Sequence, residues 1–292
     1  MTIFQTPHDS FETTFQPIKE ISNVPEGGFS VNCNGRIIVG GTHSFESENW
    51  RSSRNIFVFE SNNFTEIQSL NFRRSCNPAV YYSNTAQNHE NVLIVTDGYE
   101  SVGIMEYLIM SDSFRTNQWN VCSDRLPFEP SSTNHFNHRL TIFQNKLILT
   151  GVTGGDTHWK SLSNEVWMGT LSFKPELRVN WTSFPSMHES RAGHVAVVLD
   201  HKLFCIGGYN TKSTEYYSNI TGSWQTGPYL PFTLYDANCI VNHTSTQCIL
   251  FGGYRDGRRN CHSEISVFDP YSGLSNVQVD PAIGIHYILT FL

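Results

Sequence analysis

Between His188 and Pro231 the chain alternates short apolar runs with polar breaks in an order that recurs elsewhere along it. A polar turn, Arg191-Ala192-Gly193, precedes an apolar run from His194 to Leu199. Asp200-His201-Lys202 makes a tight polar connection, and Leu203 to Ile206 follows, closed by Gly207-Gly208. That order predicts two short strands joined by a turn. A third run, Thr214 to Tyr217, and a fourth around Trp224 come after further polar breaks, so about 44 residues hold four strands and no helical period. The stretch reads as one small antiparallel sheet.

The same order appears four more times. Ile37 to Gly41 (IIVGG) is preceded by Gly27 to Val31 and followed by Ile56 to Phe59, with Phe64 in the place of the tryptophan. Val92 to Tyr99 (VLIVTDGY) has Ala79 to Tyr82 before it and Trp119 after it, with Asp97 in place of the first glycine. Leu147 to Gly151 (LILTG) lies between Leu140 to Phe143 and the pair Val166-Trp167, with Trp181 beyond. Cys248 to Tyr254 (CILFGGY) follows Ala237 to Val241 and precedes Ile265 to Asp269, with Leu274 near the tryptophan place. Marks at positions 40, 97, 151, 207 and 252 are spaced by 57, 54, 56 and 45 residues. A period near 50 with four strands in each period is the pattern of a β-propeller.

The order Arg-x-Gly-His, strand, turn, strand, Gly-Gly-Tyr, a later Tyr and then Trp resembles the kelch repeat. The resemblance implies an all-β, six-bladed propeller of four-stranded antiparallel blades, with residues 1–292 as a single domain. Its last blade is expected from both ends of the chain: Thr2 to Phe4 and Phe11 to Ile18 as third and fourth strands, and Gly284 to Phe291 as a first strand. One strand is then missing. Either the blade is incomplete or the sequence is a fragment of a longer chain. Trp224 is expected to fill the wide outer part of its blade.

In the family, partners are usually held by two sets of loops on one face of the ring: those entering each first strand and those after the Gly-Gly. Carried over position by position, the first set contains Arg74, His135 and Arg191, with Asp236 and Pro25. The second contains His43, Tyr99, Tyr209 with Asn210, and Tyr254 with Arg255 and Asp256. Arginine presents a planar fork to carboxylates, and tyrosine offers rigid area at low entropy cost. The expectation is therefore a module binding a protein or peptide, with acidic residues on the partner. The same Arg and Tyr positions also belong to the repeat itself, where they can hold blades together. Two long inserts, Thr42 to Arg54 and Thr153 to Ser163, and the basic loop Tyr254 to Cys261 extend the loop sets.

Composition narrows the classes. Hydrophobic residues make up 39% and aromatic residues 13%, enough for a packed core, while charged residues are only 15%. The net charge of -7 gives no basic face for nucleic acid. No run of 18 apolar residues and no charged-then-apolar leader is present, Met1 to Lys19 being broken by Pro7, His8, Asp9 and Pro17. The expectation is a soluble, cytoplasmic monomer that touches neither nucleic acid nor membrane. Of seven cysteines, Cys33, Cys205, Cys239 and Cys248 fall in apolar strands, which reads as free buried thiols in a reducing compartment. Asn-x-Ser/Thr sequons at Asn63, Asn180, Asn219 and Asn242 keep secretion as the alternative if the N-terminus is incomplete.

Catalytic signals are weak. The Cys, Tyr and His set of the galactose oxidase kind finds no counterpart, nor do the catalytic or iron-binding residues of the kelch-type epimerases and glucosinolate-pathway proteins. His135-x-x-His138 and Cys261-His262 lack a second ligand pair, and Gly151-Val152-Thr153-Gly154-Gly155 lacks the Lys-Ser/Thr of a phosphate loop. No catalysis, no metal and no cofactor are expected. A kelch-fold enzyme or carbohydrate-binding protein using the central pocket, or a secreted adhesion module, is the alternative.

Overall fold

The computed structural model describes residues 2–5, 16–20, 28–41, 43–46, 49–60, 63–75, 77–83, 91–98, 100–112, 114–128, 137–151, 162–173, 175–256, 264–277 and 288–289. Among these residues every regular element is a strand. Five sheets are four-stranded and antiparallel, each with its strands in spatial order. The first blade comprises Phe29–Cys33, Arg36–Gly40, Ile56–Glu60 and Asn63–Ile67. The second has Ala79–Tyr82, Val92–Thr96, Met105–Ile109 and Asn120–Val121. Arg139–Phe143, Lys146–Thr150, Val166–Ser172 and Arg178–Phe184 form the third. Val195–Leu199, Lys202–Ile206, Thr214–Ser218 and Ser223–Thr226 form the fourth. The fifth is Asn238–Val241, Cys248–Phe251, Ile265–Asp269 and Gly273–Val277.

Local chemistry explains the hairpins. Three of the first turns have two residues, both at positive φ: Asn34-Gly35 (55° and 81°), Gln144-Asn145 (51° and 58°) and Asp200-His201 (46° and 57°). The flanking partners Cys33–Arg36, Phe143–Lys146 and Leu199–Lys202 pair directly. Positive φ at both positions matches the right-handed twist of the strands it joins, so register is fixed from the turn outward. The second strands, RIIVG, VLIVT, KLILT, KLFCI and CILF, are the most deeply buried, because both faces of a blade are covered.

Packing is clearest between neighbouring blades. The chain divides into two compact units, residues 25–162 with 167–184, and residues 1–24, 163–166 and 185–292. In the first unit, the first strand of the second blade lies beside those of the first and third. One apolar cluster there joins Ile38, Ile56 and Val58 to Leu93, Leu108 and Trp119, and another joins Val92, Ile94 and Tyr107 to Leu147, Leu149 and Val179. In the second unit, Val195–Leu199 lies beside Asn238–Val241, and Phe204 and Ile206 pack with Leu234, Leu250 and Phe268. Each such fully buried side chain contributes roughly 1.5–3 kcal/mol of transfer free energy.

One expectation needs correction. The mark in the first blade is Gly41, not Gly40. Gly40 is the last residue of its strand, whereas Gly41 has φ +60°, as Gly151, Gly207 and Gly252 have values of 63° to 67°. Among the described residues the sheet of the two ends has three strands, in the order Gln16–Glu20, Thr2–Gln5 and Ile288–Leu289; of the strand expected over Phe11 to Ile18, residues 11–15 lie outside the described ones. Thr2–Gln5 pairs antiparallel with Gln16–Glu20 but parallel with Ile288–Leu289. Strands one and three of an antiparallel sheet run the same way, so with no second strand between them they meet in parallel.

Candidate functional site

Arg74 and Arg191 come to equivalent places, and neither is on the surface: both are 0% exposed. Arg74 donates through Nε to Glu106 at 2.9 Å, and through Nη1 to the carbonyls of Asp97 (2.6 Å) and Ile104 (2.9 Å). Arg191 donates through Nη2 to Glu215 at 2.9 Å, and through Nη1 to the carbonyls of Gly207 (2.7 Å) and Ser213 (2.8 Å). Each backbone also binds upstream, Arg74 N to Ser53 O and Arg191 N to Ser163 O. The guanidinium therefore ties the segment entering a blade to its Gly-Gly turn and third strand. These residues are corrected from partner contacts to internal clamps, because all their charge is spent inside the fold.

Their acidic partners were not singled out from the sequence. Glu106 and Glu215 each stand in a third strand just before a tyrosine, at 0% and 2% exposure. Each also caps the preceding linker, accepting from Asn71 N (2.6 Å) or His188 N (2.7 Å). A lone carboxylate inside an otherwise apolar strand was the available signal, since burial demands a cation. The tryptophans repeat too: Trp119 Nε1 donates to Gln68 O at 2.9 Å and Trp224 Nε1 to Pro185 O at 2.6 Å.

Tyr99 and His135 lie outside the described residues, and His43 is in a strand, His43–Glu46, paired with Asn49–Ser52. The structure does bring Tyr209, Asn210, Tyr254 and Arg255 together. A short ribbon pairs Leu234–Tyr235, ahead of the fifth blade, with Tyr254–Arg255, after its second strand. Tyr209 N donates to Ala192 O at 2.9 Å, Gly208 N to Leu234 O at 2.9 Å, and Asp236 N to Gly193 O at 2.7 Å. The two loop sets of the fourth and fifth blades thus share one surface. On it the Tyr235 ring meets Tyr209 edge-on at 5.3 Å and stacks with Tyr254 at 5.4 Å.

Tyr235 is buried, Tyr254 is 36% exposed, and Asn210 is exposed at φ 60°. The Arg255 guanidinium lies 3.9 Å above the Phe232 ring and keeps its side chain 40% exposed. Its charge is shared with Asp256 at 3.7 Å and Glu264 at 3.5 Å. An arginine flat on an aromatic ring and partly exposed can receive a carboxylate. Tyr235, missed in the sequence, is the ring on which the other two converge.

Among the described residues, Cys33, Cys122, Cys205, Cys239 and Cys248 form no disulfide, and burial pushes the Cys33 thiol up to about 12 and Cys122 up to about 11. Such thiols stay protonated and inert at neutral pH. Among the described residues, no group of three or more His, Cys, Asp or Glu could hold a metal ion, and no helix is long and apolar enough to cross a membrane.

The family model for the kelch motif matches residues 190–231, the segment that carries Arg191, Gly207-Gly208 and Trp224. No curated protein matches the chain. Among solved structures, that of YjhT is similar with a TM-score of 0.69 at 10% identity, covering 95% of this chain and 97% of that one. At that identity the likeness shows a shared fold. The kelch motif thus lies in the fourth blade of an all-β fold of four-stranded antiparallel blades, and the likeness to YjhT is one of fold.

Proposed function

We propose that the chain is a protein-binding module without chemistry of its own, holding a peptide or loop with acidic residues on the surface of Tyr209, Asn210, Tyr254 and Arg255. The observation that carries this reading is the convergence of Tyr209 and Tyr254 on Tyr235, beside an Arg255 whose side chain is 40% exposed. Clustered Tyr and Arg are the residues that dominate binding energy at interfaces. Five described cysteines outside any disulfide fit a reducing compartment, so the proposed location is cytoplasmic.

Purified protein titrated against fluorescent peptides of matched length and differing charge tests this. Acidic peptides should bind, and Tyr254→Ala or Arg255→Ala should each weaken them about tenfold, the effect of losing ~1.4 kcal/mol. Equal affinity for acidic and basic peptides, or unchanged affinity in both variants, would defeat the reading.

A further inference from the structure

Asp97 occupies the position held by Gly41, Gly151, Gly207 and Gly252 in the other blades, and keeps their backbone shape at φ 50°. Aspartate is among the few residues that tolerate this region, so a carboxylate enters the second blade where the repeat has no side chain. Its Oδ1 accepts from Gly103 N at 2.7 Å, which pins the turn before the third strand. Its Oδ2 lies 3.7 Å from Nδ1 of His138, which directly precedes the first strand of the third blade. Both side chains are 0% exposed.

We propose that the buried Asp97–His138 pair is a one-proton latch, which holds the 97–103 turn of the second blade to the segment entering the third blade and loosens as the medium becomes alkaline.

The charges facing the pair set its sign. Arg74 donates to the Asp97 carbonyl, and Glu106 neutralises Arg74 at 2.9 Å. From the third blade, the Arg139 guanidinium donates to the His138 carbonyl at 3.2 Å. With Arg74 and Glu106 offsetting each other, Asp97 and His138 together are neutral only while they hold one proton, on either residue. Losing it adds a negative charge to a site closed to water, and holding that charge in the closed site is penalised relative to opening it. Burial pushes the Asp97 carboxyl up to about 8, from an ordinary 3.8, with the Gly103 amide and Arg74 pulling the other way. A group raised in the folded state favours the closed form in acid and loses that preference as pH rises toward about 8.

Hydrogen exchange of the Gly103 amide, referenced to the Gly207 amide of the fourth blade, which donates to Ser213 O with no carboxylate involved, tests the latch. After division by the Gly207 rate, opening at Gly103 should grow by up to tenfold per pH unit on the approach to pH ~8 and level off beyond it. Asp97→Asn should abolish the rise, and Asp97→Gly should give Gly103 the pH profile of Gly207. A wild-type Gly103 profile parallel to that of Gly207 would overturn the proposal, whether or not either variant folds. So would a folded Asp97→Asn protein that keeps the rise. Peptide binding does not enter the measurement, so its outcome is separate from that of the acidic-partner reading.

Discussion

A guanidinium with no solvent contact must neutralise its charge inside the fold, and Arg191 does so on Glu215 and two carbonyls. Replacing it with methionine, similar in length and apolar, leaves Glu215 buried without its guanidinium, held by the His188 and Glu189 amides at 2.7 Å and 3.0 Å and facing the exposed His188 ring at 2.9 Å. Breaking one side of a buried pair costs about 3–5 kcal/mol. Arg191→Met should therefore lower the denaturant midpoint by that equivalent, while Arg191→Met with Glu215→Leu should recover much of it. A double variant no more stable than the single one would contradict the clamp. The sequence displayed the arginines but not their partners, which lie 32 and 24 residues away on another strand. A charge near a loop therefore looked like a contact surface. Tyr254 and Arg255 were readable because the exposed loop after a Gly-Gly strand is a local feature.

Single strands and turns were the most legible level. The apolar runs VAVVL and LFCI, the tight connection at Asp200-His201 and the glycine marks are all local, and four of the five marks were placed to the residue. Gly40-Gly41 was misread by one position because two adjacent glycines look alike until φ separates them. Gly207 and Gly252 occupy the same repeat position at φ +63° and +64°, yet differ in surroundings. An added Cβ at Gly207 would lie 2.6 Å from the Leu234 carbonyl oxygen, whereas at Gly252 nothing lies within 4 Å. Each alanine variant incurs about 1–2 kcal/mol for left-handed backbone. Gly207→Ala should be the more damaging in thermal unfolding, because it alone also forces the fourth blade away from the Leu234 segment. Equal losses would mean that backbone strain alone explains the glycine.

Across the chain, carboxylates of opposite behaviour shape stability against pH. Arg178, bonded to Asp124 at 2.9 Å and 2.8 Å, holds that carboxyl below its ordinary 3.8. Hydroxyl donation from Thr211, then Ser213, holds Glu189 below its ordinary 4.5. Groups lowered in the folded state stabilise above those values and cease to do so as pH falls through them. Asp97, raised to about 8, works in the other direction, losing its contribution as pH climbs from 3.8. Melting temperature should pass through a maximum in mildly acidic solution, falling on both sides, and Asp97→Asn should flatten only the alkaline limb. A curve rising steadily to pH 9 would count against the buried Asp97.

The parallel pairing of Thr2–Gln5 with Ile288–Leu289 has a practical corollary. Adjacent strands sit roughly 5 Å apart, so dyes placed at Thr2 and Ile288 start within quenching range of each other. Their brightening on heating would time the unzipping of that one sheet, separately from the loss of the five four-stranded ones.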